Sequence, residues 1–142
     1  MSKTFKIFLI LVIIGLIAGV FVWRWVNKPE PDVENAKGIK VNAVDLYNSF
    51  LNDTAFAKKT YIGQIVNVTG IIVKEDSNNQ KQQIILLQTN TTGGNINCTM
   101  EKPVTDIKLN ETINIQGICR GIIIDQDMGI PGDVILTRGY KK

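Results

Sequence analysis

Few side chains in this sequence could carry chemistry. The chain contains two cysteines, Cys98 and Cys119, and no histidine, so imidazole is excluded as a base, a proton shuttle or a metal ligand. Two cysteines cannot complete a four-ligand zinc site alone, and without a C-x-x-C motif a redox role is disfavoured. Ser49 and Ser77 have no base partner. We therefore predict that the protein is not an enzyme and has no metal site and no cofactor.

An acidic loop at Asp125–Gly129 reads D-Q-D-M-G. Its D-x-D pair is a fragment of a calcium-binding loop, but the later ligands and the distal glutamate are absent. An acidic turn without a metal ion is the favoured interpretation.

Cys98 and Cys119 both lie at positions that are predicted to face the interior of a sheet. Outside the reducing cytosol they could form a disulfide, whereas as buried thiols they would pack as small hydrophobic side chains. Both alternatives stay open, because the sequence does not fix the distance between the two Cα atoms.

An apolar run near the N-terminus is long enough to cross a membrane. From Ile7 to Trp23 no side chain is charged or carries an amide, and extension to Val26 reaches the roughly 20 residues of a spanning helix. The run is longer than the h-region of a signal peptide, about 7–15 residues, and no A-x-A-like cleavage site follows it. We predict an uncleaved membrane anchor at 7–26 rather than a cleaved signal peptide.

The charges that flank this run give no clear orientation. Lys3 and Lys6 precede it, whereas Arg24 and Lys28 follow it, and the positive-inside rule counts basic residues on both sides. We favour a cytoplasmic tail at residues 1–6, because this short head is basic, and hence an extracytoplasmic C-terminal domain.

A spacer and two short helices are predicted next. Residues 27–38 contain two prolines, mixed charge and little apolar content, which is typical of a linker, so the globular domain is predicted at 39–142. Val41–Lys59 has helical spacing, in which Asn42 can cap a first helix and Asp53 a second.

The remainder of the domain is patterned as five strands. Glycines interrupt the first and fourth strands, which are the long ones, and a five-stranded Greek-key barrel needs such bends because its first strand serves both halves of the sheet. An open antiparallel sheet packed on the helices is the alternative. The connection Lys102–Asn110 has loosely helical spacing. The predicted strands are Tyr61–Lys74, Lys81–Thr89, Asn95–Glu101, Thr112–Ile124 and Asp133–Arg138.

Two stretches carry a resemblance to a known family. Short helices with an alanine before a lysine-rich turn lead into a Tyr-x-Gly-x-x-Val-x-Val-x-Gly strand, and a later strand has a Gly-x-Cys-x-Gly element. In these features the chain resembles the bacterial tRNA-anti-like OB-fold domains over about residues 40–140. The matching residues are Ala57, Tyr61, Gly63, Val66, Val68, Thr69, Gly70, Gly117, Cys119 and Gly121.

The resemblance implies a fold and no established activity, because the matching motifs are structural. It implies a mainly β domain, an OB-fold Greek-key barrel that follows two short helices. Members often follow an N-terminal anchor, which agrees with the transmembrane helix predicted here and supports the extracytoplasmic orientation.

A ligand face is predicted on this barrel. Such barrels bind on the second and third strands and on the loops that flank them, and an amide-rich face suits oligosaccharide or peptide contacts through hydrogen bonds. The alternative is that these residues are ordinary solvent-exposed side chains of the strands and bind no ligand. The predicted contact residues are Gln82, Gln88, Asn90, Asn97, Thr99 and Arg120.

Nucleic-acid binding is disfavoured by the same sequence. Single-strand binders need a basic groove and exposed aromatic rings, whereas the predicted strands contain one aromatic residue, Tyr61, and residues 39–142 carry eleven basic and ten acidic side chains. We predict a membrane-anchored, non-catalytic binding module with an oligosaccharide, peptide or protein partner. The alternatives are an assembly element of a membrane protein complex and, for a cytoplasmic domain, a single-stranded nucleic-acid binder.

Overall fold

A computed structural model of the chain describes residues 2–90, 93–124 and 126–142. Contacts between Cα atoms divide the chain into two compact units, Met1–Pro31 and Asp32–Lys142. The first unit contains one long helix, and the second contains the barrel.

The long helix α1 spans Lys3–Val26 and exposes its side chains along its whole length. Its 24 residues give a length of about 36 Å at roughly 1.5 Å per residue, which exceeds the roughly 30 Å of a hydrocarbon core. The mean hydropathy of its most apolar window is 2.9. Among the described residues α1 is the one helix with the length and composition of a membrane span, criteria that a signal sequence also meets.

Two short helices precede the barrel strands, and both predicted caps are present. The side chain of Asn42 accepts a hydrogen bond from the amide of Asp45 at 2.8 Å, and that of Asp53 accepts one from the amide of Phe56 at 3.0 Å. These bonds satisfy amide groups that a helix start leaves without intrahelical partners. The helices are α2 (Ala43–Asn52) and α3 (Thr54–Tyr61).

Tyr61 ends α3, so its prediction as the first strand residue is wrong. Its ring is nearly buried and lies 6.3 Å from the ring of Phe50 and 6.4 Å from that of Phe56. Because this aromatic packing holds the last helical turn, the strand begins four residues later, at Ile65.

Five strands form the predicted closed barrel, and the open-sheet alternative is excluded. The order of strands is β1-β2-β3-β4-β6-β5, and a β2–β5 pairing closes the barrel. The short β1, which the sequence pattern does not reveal, adds to β2 in parallel. The strands are β1 (Ile39–Asn42), β2 (Ile65–Ser77), β3 (Gln83–Leu87), β4 (Ile96–Met100), β5 (Thr112–Ile124) and β6 (Pro131–Lys141).

The long strand β2 serves both halves of the barrel, as predicted. Its first half pairs with β5 and its second half pairs with β3. Gly70 lies between the halves, where a Cβ atom would approach the Cβ of Ala43 to 2.9 Å and that of Leu87 to 3.0 Å. The absence of a side chain therefore lets α2 pack closely on the strand.

Buried and more exposed side chains alternate along the strands, as predicted. Ile96, Cys98 and Met100 of β4 point inward, and Leu46 and Tyr47 of α2 close one end of the barrel with no exposed surface. This burial of apolar surface is the main favourable term in the folding of such a domain.

The connection between β4 and β5 contains turns and bends in place of the predicted helical spacing. Asp106 and Asn110 have positive φ angles of 60° and 67°, a conformation that a right-handed helix cannot contain. The side chain of Gln83 instead holds the segment, since it accepts from the amide of Val104 at 2.8 Å and donates to its carbonyl oxygen at 3.0 Å.

Part of the predicted spacer packs on the barrel. We call residues 32–38 the strap. Val33 is 1% exposed, and the side chain of Gln116 donates to the carbonyl oxygens of Val33 at 2.5 Å and Ala36 at 2.7 Å. The strap is therefore an ordered part of the barrel unit.

Candidate functional site

The structure distributes the six predicted contact residues over three places. Asn97, Thr99 and Arg120 lie on the outer surface of the barrel, Gln88 and Asn90 line a groove, and Gln82 belongs to a tight turn. The single predicted face is thus two separate candidate surfaces and one turn residue.

The outer surface of β3, β4, β6 and the neighbouring part of β5 carries alternating aliphatic and polar side chains. Asn97 is in register with Leu86 on one side and with Ile135 on the other, and Thr99 is in register with Ile84. We call this surface the strand face; its residues are Ile84, Leu86, Asn97, Thr99, Arg120, Ile135 and Thr137. Directly opposed side chains of neighbouring strands lie roughly 5 Å apart, so these residues form one continuous patch.

Arg120 is engaged within the strand face. Its Nε donates a hydrogen bond to Oγ1 of Thr137 at 3.0 Å. At the edge of the sheet, Lys74 forms an exposed ion pair with Asp76 at 2.7 Å. Arg120 keeps its positive charge, since the hydroxyl of Thr137 is neutral, whereas the charge of Lys74 is paired with that of Asp76.

Gln82 closes the β2–β3 turn. Its side-chain oxygen accepts from Nδ2 of Asn78 at 2.9 Å, and its amide donates to Oδ1 of the same residue at 2.9 Å. These bonds give Gln82 a local structural role.

A polar groove of about 410 Å³ lies between the start of α2, the middle of β2 and the segment after β3. Its apolar lining residues are Ala43, Val44, Gly70 and Ile71. Its rim consists of amide, hydroxyl and carboxylate groups, and no basic or aromatic side chain is found among its lining residues. The polar lining residues are Asn42, Asp45, Thr69, Gln88, Asn90 and Thr112.

Hydrogen bonds of the fold hold the backbone of the groove residues in place. The amide of Gln88 donates to the carbonyl oxygen of Ile71 at 2.8 Å, so its exposed side chain starts from a defined position. Nδ2 of Asn42 contacts the carboxylate of Asp45 at 2.5 Å, while Oδ1 of Asn42 caps α2. Because cap and carboxylate occupy this helix start, the groove is not arranged to receive an anion.

Four of the six polar groove residues were not predicted from the sequence as ligand contacts. Asn42 was identified as a helix cap, but neither it nor Asp45 was connected to a binding surface; Thr69 and Thr112 belong to long strands whose pairing brings them together. The cap motif at the start of α2 is the one local signal that could have indicated this surface.

The two cysteines are free, buried thiols in the structure. Leu136 of β6 is in register with Cys98 on one side and with Cys119 on the other. The two cysteines are therefore separated by two strand spacings, about 9.6 Å. This distance exceeds the Cα separation of roughly 4.4–6.8 Å that a disulfide requires. The structure therefore has packed thiols, and the disulfide alternative would need the strands to move.

We expect both thiols to resist labelling. Burial raises the pKa of the Cys98 thiol and that of the Cys119 thiol, so little reactive thiolate forms even at mildly alkaline pH. Maleimide treatment of the folded chain should leave both residues unmodified, whereas unfolding in urea should expose two reactive thiols. Mass spectrometry counts the adducts, and rapid modification of the folded chain would contradict the described burial.

The acidic loop is only partly described, since Asp125 lies outside the described residues. Among the described residues, no group of three or more histidine, cysteine, aspartate or glutamate side chains could hold a metal ion.

The aromatic residues of the barrel unit do not form a stacking platform on the strand face. Tyr140 lies within β6, which extends beyond the predicted strand end at Arg138. The ammonium of Lys102 lies 5.6 Å from its ring centroid, and the same ammonium forms an ion pair with Glu34 of the strap at 2.9 Å.

Comparison with known proteins identifies the family. A family model described as tRNA_anti-like matches residues 1–128. The chain belongs to the tRNA-anti-like family. The match includes α1 and ends before β6 begins. This family is one of binding domains rather than of catalytic ones.

Among solved structures, the chain is similar to a protein described as an aspartyl-tRNA synthetase from Leishmania major Friedlin. The identity is 6% and the TM-score is 0.45, over 80% of this chain and 22% of the synthetase chain. The chain thus spans about a fifth of the length of that protein. No curated protein sequence matches the chain.

Proposed function

We propose that this tRNA-anti-like protein is a single-pass membrane protein whose barrel lies outside the cytoplasm and binds an uncharged oligosaccharide in the polar groove. The observation that carries the proposal is the composition of the groove. Amide, hydroxyl and carboxylate groups line the groove together with apolar side chains, and its volume of about 410 Å³ lies within the roughly 300–1,000 Å³ of typical small-molecule sites.

The chemistry of the rim matches sugar hydroxyl groups. A hydroxyl both donates and accepts hydrogen bonds; Gln88 and Asn90 offer amide donors and acceptors, and Asp45 offers acceptors. The apolar side chain of Ile71, which is 40% exposed, offers contact to the carbon faces of a sugar ring. An uncharged ligand also avoids repulsion by the Asp45 carboxylate.

The membrane location is supported by α1 itself. The helix is long enough to span the hydrocarbon core, and Trp23, Arg24 and Trp25 at its C-terminal end suit the interface with the headgroups. The proposed orientation takes the short basic head with Lys3 and Lys6 as the cytoplasmic end, although Arg24 and Lys28 flank the other end of the helix. In this orientation the barrel would lie on the opposite side.

We expect the double substitution Gln88→Ala, Asn90→Ala to weaken oligosaccharide binding by about 10-fold or more. Each lost hydrogen bond is worth roughly 0.5–1.5 kcal/mol, and about 1.4 kcal/mol corresponds to a factor of ten. The full chain in lipid nanodiscs would be titrated with a panel of neutral oligosaccharides and followed by calorimetry.

The matched control is Asn97→Ala, Thr99→Ala on the strand face, which should leave binding unchanged. Loss of binding in this control but not in the groove variant would contradict the location of the site. Absence of binding to every sugar, with one stoichiometric protein partner recovered by cross-linking, would favour the assembly alternative. Steeply salt-dependent binding of a single-stranded oligonucleotide would favour a nucleic-acid function.

A further inference from the structure

The hairpin between β5 and β6 exposes several large apolar side chains. Ile123 is 57% exposed, Ile124 58%, Met128 70% and Ile130 46%. We call residues 121–124 and 126–131 the finger. Clusters of exposed apolar side chains of this kind mark interaction surfaces more often than single exposed residues do.

The finger also carries an acidic side chain. It contains Asp127 and no basic residue. Repulsion between this carboxylate and an anionic lipid surface disfavours insertion of the finger into such a membrane. A partner with apolar and basic side chains would complement it.

The chain itself carries such a complementary surface on α3. Phe56 is 53% exposed and Ile62, the residue after the helix, is 38% exposed; Lys58 and Lys59 of the last helical turn are exposed beside them. We call these four residues the α3 patch.

The finger and the α3 patch lie on one continuous surface. The amide of Gly63 donates to the carbonyl oxygen of Cys119 at 2.8 Å. A Cβ atom on Gly121 would lie 3.1 Å from Cδ1 of Ile62, and Ile123 follows two residues later. A surface that contains an apolar acidic part beside an apolar basic part can pair with its own copy about a twofold axis.

We propose that two copies of this chain associate through the finger of each and the α3 patch of the other. Apolar contact between Ile123 and Phe56 of opposite copies and charge attraction between Asp127 and Lys58 would hold the pair. Confinement of both copies to one membrane raises their effective concentration, so that a modest contact suffices. Association through the Gly15-x-x-x-Gly19 motif of α1 is the alternative that the test separates from this pairing.

Cross-linking between two differently tagged full-length chains tests this pairing. One chain carries Gln126→Cys in the finger and the other carries Ala55→Cys at the start of α3; both positions are exposed. A short bis-maleimide in native membranes should join the two chains at least about five times more efficiently than it joins Ala55→Cys to Asn79→Cys, a control in the exposed β2–β3 turn.

Charge reversal supplies the second arm of the test. Asp127→Lys should reduce the finger-to-α3 cross-link about fivefold, and adding Lys58→Glu and Lys59→Glu to the same chain should restore it. Equal yields for the finger and control positions would overturn the proposal. So would a chain that is monomeric by mass photometry, or a dimer that is insensitive to Asp127→Lys and is lost with Gly15→Ile.

Discussion

Gly94→Ala is expected to destabilise the barrel by about 3 kcal/mol. A Cβ atom at this position would lie 1.8 Å from Oη and 2.3 Å from Cζ of Tyr47. Tyr47 is fully buried, so its ring cannot move away without displacing the core side chains packed around it. The measurement is pulse proteolysis of the full chain in detergent micelles over a urea gradient, which reports the free energy of unfolding of the barrel.

The clash has a specific partner, so a double-mutant cycle can isolate it. Tyr47→Leu removes the ring and leaves an apolar side chain. In that background, Gly94→Ala should cost less than about 1 kcal/mol, because the added methyl group then enters space that the ring has vacated. Additive effects of the two substitutions would show that Gly94 tolerates no side chain for a reason other than Tyr47.

Tyr47 matters because it connects three parts of the structure. Its hydroxyl donates to the carbonyl oxygens of Gly132 at 3.0 Å and Pro131 at 3.3 Å, at the base of the finger. Gly94 beside it also accepts a hydrogen bond from Thr89, which lies between the groove residues Gln88 and Asn90. Displacement of the ring should therefore perturb the groove and the finger together.

Gln116→Leu is expected to destabilise the barrel by about 2–3 kcal/mol and to release the strap. The substitution removes the donor to the carbonyl oxygens of Val33 and Ala36, and each buried acceptor without a partner costs roughly 1–3 kcal/mol. Pulse proteolysis gives the global effect. Tryptic cleavage after Lys37, slow in the wild type and fast in the variant, reports release of the strap itself.

Asn114→Leu is the matched control for Gln116→Leu. Asn114 lies two residues away on the same strand, is exposed, and contacts the hydroxyl of Thr69 at 2.5 Å. It should cost less than about 1 kcal/mol and leave cleavage at Lys37 slow. Equal sensitivity of the two variants would contradict the assignment of Gln116 as the residue that holds the strap.

Features with a local sequence signal were predicted correctly. The alternation of Ile96, Cys98 and Met100 follows from the two-residue period of a strand, and the two helix caps follow from side chains that reach an amide three residues away. The closed barrel was predicted from the glycines inside the long strands.

Features that depend on distant contacts were missed. The strap has the composition of a spacer, and it is ordered because Gln116 reaches it from 80 residues further along the chain. The groove combines a helix start, two strands and a loop, so the amides after β3 were predicted without Asp45, which completes the rim. Tyr61 follows a helical rather than an extended path because its ring packs on Phe50 and Phe56.

The location of the barrel is the central claim, and labelling in intact cells tests it most directly. The native thiols are buried, so a single exposed cysteine is introduced by Asn79→Cys in the β2–β3 turn. We predict that the chain stays in the membrane pellet after alkaline carbonate extraction, keeps residues 1–26, and reacts with a membrane-impermeant maleimide without permeabilisation. A soluble chain that begins after Val26, or labelling only after the cells are opened, would contradict the account.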